Sequence, residues 1–212
     1  MNPTNPFKKR KPHDVPVEDA LSSVFDDPAV GEMMRRMTDA PKQSSKLDMT
    51  RLSADIERKM EELKNAYIDF ATRYGLGGGQ PKKWVNNTFE FRPDGVRVEG
   101  NLVLDYCEMN ELPPQLVSVG GYMTIAGNNL SSLKGMPRTV GGYLDIGSNP
   151  LETLEGLPSK IGGQFFPQKI PAKKMPTGID ISNYIYINQD QTELIDSARA
   201  GGYTVKIHTP LN

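Results

Sequence analysis

Side chains able to do covalent or acid–base chemistry are few and scattered in this sequence. It holds one cysteine, Cys107, and two histidines, His13 and His208. A nucleophilic triad needs a hydroxyl or thiol, an imidazole and an orienting acid brought together, and no local motif pairs them. A zinc site needs several His, Cys or carboxylate ligands at short spacings, and no such cluster occurs. A glycine run such as Gly75, Gly77, Gly78 and Gly79 cradles phosphate only after a strand and before a helix. Here a helical pattern precedes and Pro81 follows, so the run reads as a flexible hinge. The cluster Lys8, Lys9, Arg10 and Lys11 reads as a solvated terminus. The expectation is a non-enzyme with no catalytic residue, metal site or cofactor.

The side chains that do form a pattern belong to a repeat. Between residues 98 and 166 similar residues recur every twenty-one positions. Val98, Val119, Val140 and Ile161 open the copies, and Gly100, Gly121, Gly142 and Gly163 follow. Then come Leu102, Met123, Leu144 and Phe165, next Leu104, Ile125 and Ile146, next Cys107, Asn128 and Asn149. Met109, Leu130 and Leu151 precede Leu112, Leu133 and Leu154, and Pro137 and Pro158 close two copies. A period of this size signals a solenoid, in which one unit cannot bury its apolar edge alone. The alternation in Leu102-Val103-Leu104 or Met123-Thr124-Ile125 predicts a short strand with one buried face. Cys107, Asn128 and Asn149 are expected to turn inward as a structural ladder, the asparagine amides satisfying backbone groups that the turn buries. The glycine pair before each strand allows a corner without Cβ clashes.

These residues resemble the leucine-rich repeat, in its short bacterial form with a proline-bearing return segment. The stretch SLKGMPRTVGGYLDIGSNPLETLEGLPSKIGG is similar to repeats in proteins of tailed phages and some bacteria. The resemblance implies an interaction surface in the host cytoplasm or the virion. Bacterial effectors with this solenoid carry a separate ubiquitin-ligase domain, and nothing here is equipped to be one.

The remaining elements extend that frame to an α+β chain: a short leucine-rich-repeat solenoid of parallel β rungs, with a C-terminal βαβ cap and an N-terminal helical region. Residues 1–16 read as a disordered basic tail. Residues 17–80 read as helical with a linker: two short helices carrying Leu21, Val24 and Phe25, then Val30, Met33, Met34 and Met37, and a long helix from about 48 to 74. Its stripe Leu52, Ile56, Met60, Leu63, Tyr67, Phe70 and Tyr74 has coiled-coil-like spacing. It packs on Met33 and its neighbours or pairs with a second chain. Residues 81–166 hold the repeats behind a β cap over 84–98, where Trp84, Phe89 and Phe91 alternate and Arg92-Pro93-Asp94-Gly95 turns. Residues 167–212 read as a crossing segment and a βαβ cap. There Tyr184-Ile185-Tyr186-Ile187 is a further rung, Asp190 to Glu193 forms a capping box, and Tyr203 to Ile207 is the last strand.

Composition narrows the function. Net charge is −1 and charged residues are 24% of the 212-residue chain, so no bulk field attracts nucleic acid or a membrane surface. One cysteine fits a reducing compartment, no apolar run approaches the ~20 residues of a membrane span, and a cytoplasmic protein is the expectation. Strand alternation places Asn101, Val103 and Asp105, then Tyr122 and Thr124, Tyr143 and Asp145, Gln164 and Phe166, and Tyr184 and Tyr186 on the outer, concave face. Tyr122 should stack on Tyr143 across adjacent rungs. Rigidly held aromatics are good anchors, so this face is the expected site for a protein partner, while cross-strand aromatic pairs can also serve the sheet alone. Other readings are an assembly protein that self-associates through residues 48–74, and a nucleic-acid accessory protein using the tail with Lys82 and Lys83.

Overall fold

The computed structural model describes residues 46–209. The basic tail, His13, the two short methionine- and leucine-bearing helices and the linker lie outside the described residues. The chain divides into two compact units, Met1–Ala54 and Asp55–Asn212. Of the first, residues 46–54 are described, as the start of helix α1 (Lys46–Arg73).

The second unit is a parallel β-solenoid of about five turns. Each turn delivers two short strands, so the repeat builds two sheets. The first sheet holds β1 (Glu90–Arg92), β2 (Gly95–Val98), β4 (Leu116–Val119), β6 (Thr139–Val140), β8 (Lys160–Ile161) and β10 (Asp180–Ile181), in that order. The second runs from β3 (Leu102–Val103) through β5 (Met123–Thr124), β7 (Leu144–Asp145), β9 (Phe165–Phe166) and β11 (Ile185–Asn188) to β12 (Val205–His208). In both, parallel partners stand one repeat apart: Val119 pairs with Val140, and Leu144 with Phe165. The valines that open each copy are therefore strand residues, whereas the sequence pattern suggested one strand per copy.

Between the two sheets lies one apolar core. Leu102, Leu104, Met123, Ile125, Leu144, Ile146 and Phe165 enter it from the second sheet, and Val98, Val119, Val140 and Ile161 from the first. Met109, Leu112, Leu130, Leu133, Leu151 and Leu154 close it from the return segments, buried as their period requires. The glycine pair sits where the chain passes from one sheet to the other. A Cβ on Gly141 would lie 2.0 Å from the carbonyl oxygen of Gly120, and one on Gly162 would lie 2.1 Å from that of Gly141. Neither residue has positive φ. Glycine is required there because stacked rungs touch backbone to backbone.

The N-terminal end of this unit differs from the sequence expectation. Trp84 belongs to helix α2 (Pro81–Thr88), not to a strand. Pro81 stands in the first helical turn, where its fixed φ and missing N–H suit the start of a helix. Gly77, at φ +78, leaves room for Trp84, whose Cβ would be 2.5 Å from any Cβ there. Only β1 and β2 form the expected β cap, as an antiparallel hairpin whose turn Arg97 and Asp94 tie together by an ion pair. The glycine run is also more than a hinge. Gly75 adopts φ +64, Gly75 N–H reaches Thr72 O at 3.3 Å and Leu76 N–H reaches Ala71 O at 2.8 Å. That is a Schellman cap, and Leu76 is buried. A helix follows the run, but no strand precedes it.

Along α1, Tyr67, Phe70 and Ala71 are buried, while Ile56, Met60 and Leu63 are half-buried. The Tyr67 ring meets Phe89 at 4.7 Å and Phe91 at 5.2 Å, both edge-on. Met33, the partner expected for the rest of the stripe, lies outside the described residues.

At the other end, β11, helix α3 (Thr192–Ala200) and β12 form the expected βαβ unit. β11 and β12 are parallel, with Ile185 opposite Val205, and Leu194, Ile195 and Ala198 are buried. Among the described residues no helix is long and apolar enough to cross a membrane.

Candidate protein-binding face

The outward side of the second sheet is built by two-residue alternation on six rungs. With Leu102, Met123, Leu144, Phe165 and Ile185 committed to the core, the residues between them must point away from it. Two rows result. One is Asn101, Tyr122, Tyr143, Gln164 and Tyr184. The other is Val103, Thr124, Asp145, Phe166, Tyr186 and Lys206, given by the registers of neighbouring strands.

The aromatic rings of these rows touch one another across five strands. Tyr122 and Tyr143 stack with centroids 4.5 Å apart and planes 7° from parallel. Phe166 meets Tyr143 at 5.7 Å and 89°, and Tyr186 meets Phe166 at 6.0 Å and 77°. His208 continues the row at 5.5 Å from Tyr186, with Nδ1 3.3 Å from the tyrosine hydroxyl. Tyr184 lies beside Tyr186, and the Lys206 ammonium sits 3.8 Å above its ring. Tyr122, Tyr143, Gln164, Phe166, Tyr184 and Tyr186 are all half-buried: each ring is held by its neighbours yet keeps an outward edge.

In the parallel Tyr122–Tyr143 pair one face of each ring is spent on the other. What it offers outward is ring edge and phenolic hydroxyl, which suits hydrogen bonding and edge contact rather than stacking of a planar ligand. Asp105 and Asp145 flank the pair. Asp105 Oδ1 accepts Ala126 N–H at 2.7 Å and Asp145 Oδ1 accepts Gly147 N–H at 2.8 Å. Burial pushes the Asp145 carboxyl above the usual range, against the pull of that N–H, and Asp105 adds to the rise. The Tyr143 phenol is raised for the same first reason, with Tyr122, Asp105 and Asp145 contributing.

Thr124 departs from its expected exposure. It is 6% exposed, a short side chain between Val103 and Asp145 on the neighbouring strands. Its Oγ1 has no hydrogen-bond partner in the protein. Val103 at 54% and Tyr106 at 79% are the most open apolar residues beside the row.

The structural ladder lies behind this face. Asn128 Oδ1 accepts the N–H groups of Cys107 and Met109, both at 3.0 Å, and its Nδ2 donates to Leu104 O and Ile125 O at 2.8 and 2.9 Å. Asn149 repeats the scheme with Leu130 N–H, Ile125 O and Ile146 O. Each amide thus ties its own rung to the one before. Cys107 is half-buried rather than buried, because it lies on the first rung, whose strand β3 is the open edge of the sheet. Burial, then Asp105, raises its thiol.

Sequence reading missed one member. Gln191 Nε2 donates to Pro167 O and Ile170 O at 3.0 and 3.1 Å, and its Oε1 accepts Lys169 N–H at 3.2 Å. It stands two repeats beyond Asn149, and that spacing was the available signal. Gln191 is also the N-cap of α3, with no side-chain cap bond. The capping box expected over 190–193 does not form, because the N-cap is Gln191, one residue past Asp190.

Lys82 and Lys83 are exposed on α2, away from the aromatic row. Among the described residues no group of three or more His, Cys, Asp or Glu side chains could hold a metal ion. No family model, curated protein or solved structure matches this chain.

Proposed function

We propose that this chain is a non-enzymatic protein-interaction module that engages its partner through the outward face of the second sheet. One observation carries the reading: the unbroken row of ring contacts from Tyr122 through Tyr143, Phe166 and Tyr186 to His208. Such a row loses little side-chain entropy on binding and offers aromatic anchors of the kind that dominate interfaces. Cross-strand pairing alone stabilises a sheet by under about 1 kcal/mol per pair. A purely structural role would not call for a half-open aromatic on four successive rungs. The twenty-one-residue unit with its buried asparagines supports assignment to the short bacterial and phage leucine-rich repeats, and with it a place in a host cytoplasm or a virion.

Neighbouring residues with opposite orientations provide the test. Leu144 is fully buried and Tyr143 is not. Leu144→Ala should destabilise by about 2–5 kcal/mol through the cavity it leaves. Tyr143→Ala should cost under about 1 kcal/mol and release a protein captured from bacterial lysate. Unchanged capture by a folded variant carrying both Tyr143→Ala and Phe166→Ala would sink the assignment to this face.

A further inference from the structure

We infer that the partner of this face includes a second copy of the same chain, packed face to face with its rungs in reverse order. The inference rests on the proposed protein-binding role of the face and names one occupant for it. What carries it is the charge order along the stack. On the first rung the outward residues are Asn101, Val103 and Asp105, with exposed Glu108 just beyond. They include acid and no base. On the sixth rung they are Thr204, Lys206 and His208, base and no acid. Between the two ends stand the aromatics, Thr124, the Asp145 carboxyl on the third rung and the amide of Gln164.

A two-fold axis lying in the interface along the strand direction, between the third and fourth rungs, reverses the stack while keeping the strand direction. It sets the first rung of one copy on the sixth of the other. By register Val103 then faces Lys206 of the second copy and Asp105 faces His208, with the long Lys206 side chain diagonally across from the Asp105 carboxylate, and the relation is reciprocal, as a two-fold interface demands. The second rung, with Tyr122, meets the fifth, with Tyr184 and Tyr186. The third meets the fourth, with Tyr143 facing Gln164, whose amide can bond the phenol, and Asp145 facing Phe166. The opposite arrangement, with rungs in the same order, would lay acid on acid and base on base.

The groups at both ends are already held in place. Asp105 is held by one oxygen on Ala126 N–H. Lys206 is steadied over Tyr184. Six rungs at ~4.8 Å span about 24 Å, a small patch, so the association belongs to the weak class and weakens with salt.

Sedimentation equilibrium of the full chain over rising concentration at low salt tests this. The wild type should form dimers. Asp105→Lys and Lys206→Glu should each weaken self-association at least about tenfold, because both bring like charges together across the interface. An equimolar mixture of the two variants should restore the dimer, since their charges then complement each other at both ends. Lys206 is exposed, so Lys206→Glu remains informative if Asp105→Lys melts early. A wild type monomeric at all concentrations overturns the inference, as does a dimer indifferent to both substitutions, which would place self-association elsewhere. A mixture of folded variants that stays monomeric overturns it too. If the wild type is monomeric while Tyr143→Ala still releases a captured protein, self-association falls and the binding face stands.

Discussion

Tyr67 donates its hydroxyl hydrogen to the carbonyl of Pro114 at 2.8 Å, joining α1 to the return segment of the first repeat. Its ring is fully buried, and burial holds the phenol well above its ordinary range, so it stays a donor at any working pH. Tyr74 and Arg73 add exposed bonds to Asn110 and Glu111 of the same segment. Exposed ion pairs of that kind contribute little, and the burial of Tyr67 with Phe89 and Phe91 carries the attachment. Tyr67→Phe should therefore lower stability by about 1 kcal/mol, the net worth of one hydrogen bond. Tyr67→Ala should cost about 3–5 kcal/mol by analogy with other large aromatic truncations. Urea titrations of both variants check the ranking, and equal midpoints would contradict it.

The amide ladder makes a second prediction. Asn128→Leu strands the N–H donors of Cys107 and Met109 and takes a donor from the Leu104 carbonyl, while Ile125 O keeps Asn149, Asn128 being 4% exposed. The cost should be at least about 1–3 kcal/mol. Gln191→Leu should show a loss of the same kind at the far end, although Gln191 reads as a helix residue in sequence. Thermal melts decide: a silent Gln191→Leu would remove it from the ladder.

Glycines at neighbouring positions of the repeat unit should not behave alike. Gly141→Ala forces a methyl into the carbonyl of Gly120, whereas a Cβ on Gly100 meets nothing within 4 Å. Both have ordinary φ, so backbone freedom does not separate them. Gly141→Ala should destabilise by more than the roughly 1–3 kcal/mol of ordinary overpacking, and Gly100→Ala should be neutral or slightly stabilising. Chemical denaturation of the pair gives the answer.

Asp145 predicts a pH dependence of definite sign. Its folded-state carboxyl titrates above the unfolded value, burial being the main cause. Ionising it therefore costs folding stability at neutral pH, and that cost disappears as pH falls below the unfolded carboxylate range. Asp145→Asn keeps an acceptor for Gly147 N–H and removes the charge. It should raise the melting temperature at pH 7, and the gain should vanish near pH 3. A gain independent of pH would assign the effect to packing instead.

Much of this arrangement is local and so could be read from sequence. Burial of Leu102, Met123, Leu144 and Phe165, and the outward turn of Tyr122 and Tyr143, follow from alternation that a single strand already imposes. Stacking of those tyrosines follows from the repeat, because a fixed period places equal residues on neighbouring rungs. The βαβ end was equally legible, since Tyr184 to Ile187 alternates and Leu194, Ile195 and Ala198 share one helix face.

The tertiary structure alone decided the rest. A two-residue strand such as Thr139–Val140 has no local signature; only hydrogen bonds from the rungs on either side make it a strand, so the second sheet emerges from stacking. Trp84, Phe89 and Phe91 alternate like strand residues, yet Pro81 and the clearance at Gly77 place Trp84 on a helix. Thr124 is buried because of the height of its cross-strand neighbours, and Cys107 half-open because its rung lies at the sheet edge. The Gln191 side chain serves the ladder because Ile170, at the asparagine position, cannot bond the buried backbone there. In each case the deciding partner is distant in sequence, where residue type and spacing carry no information about which groups still lack one.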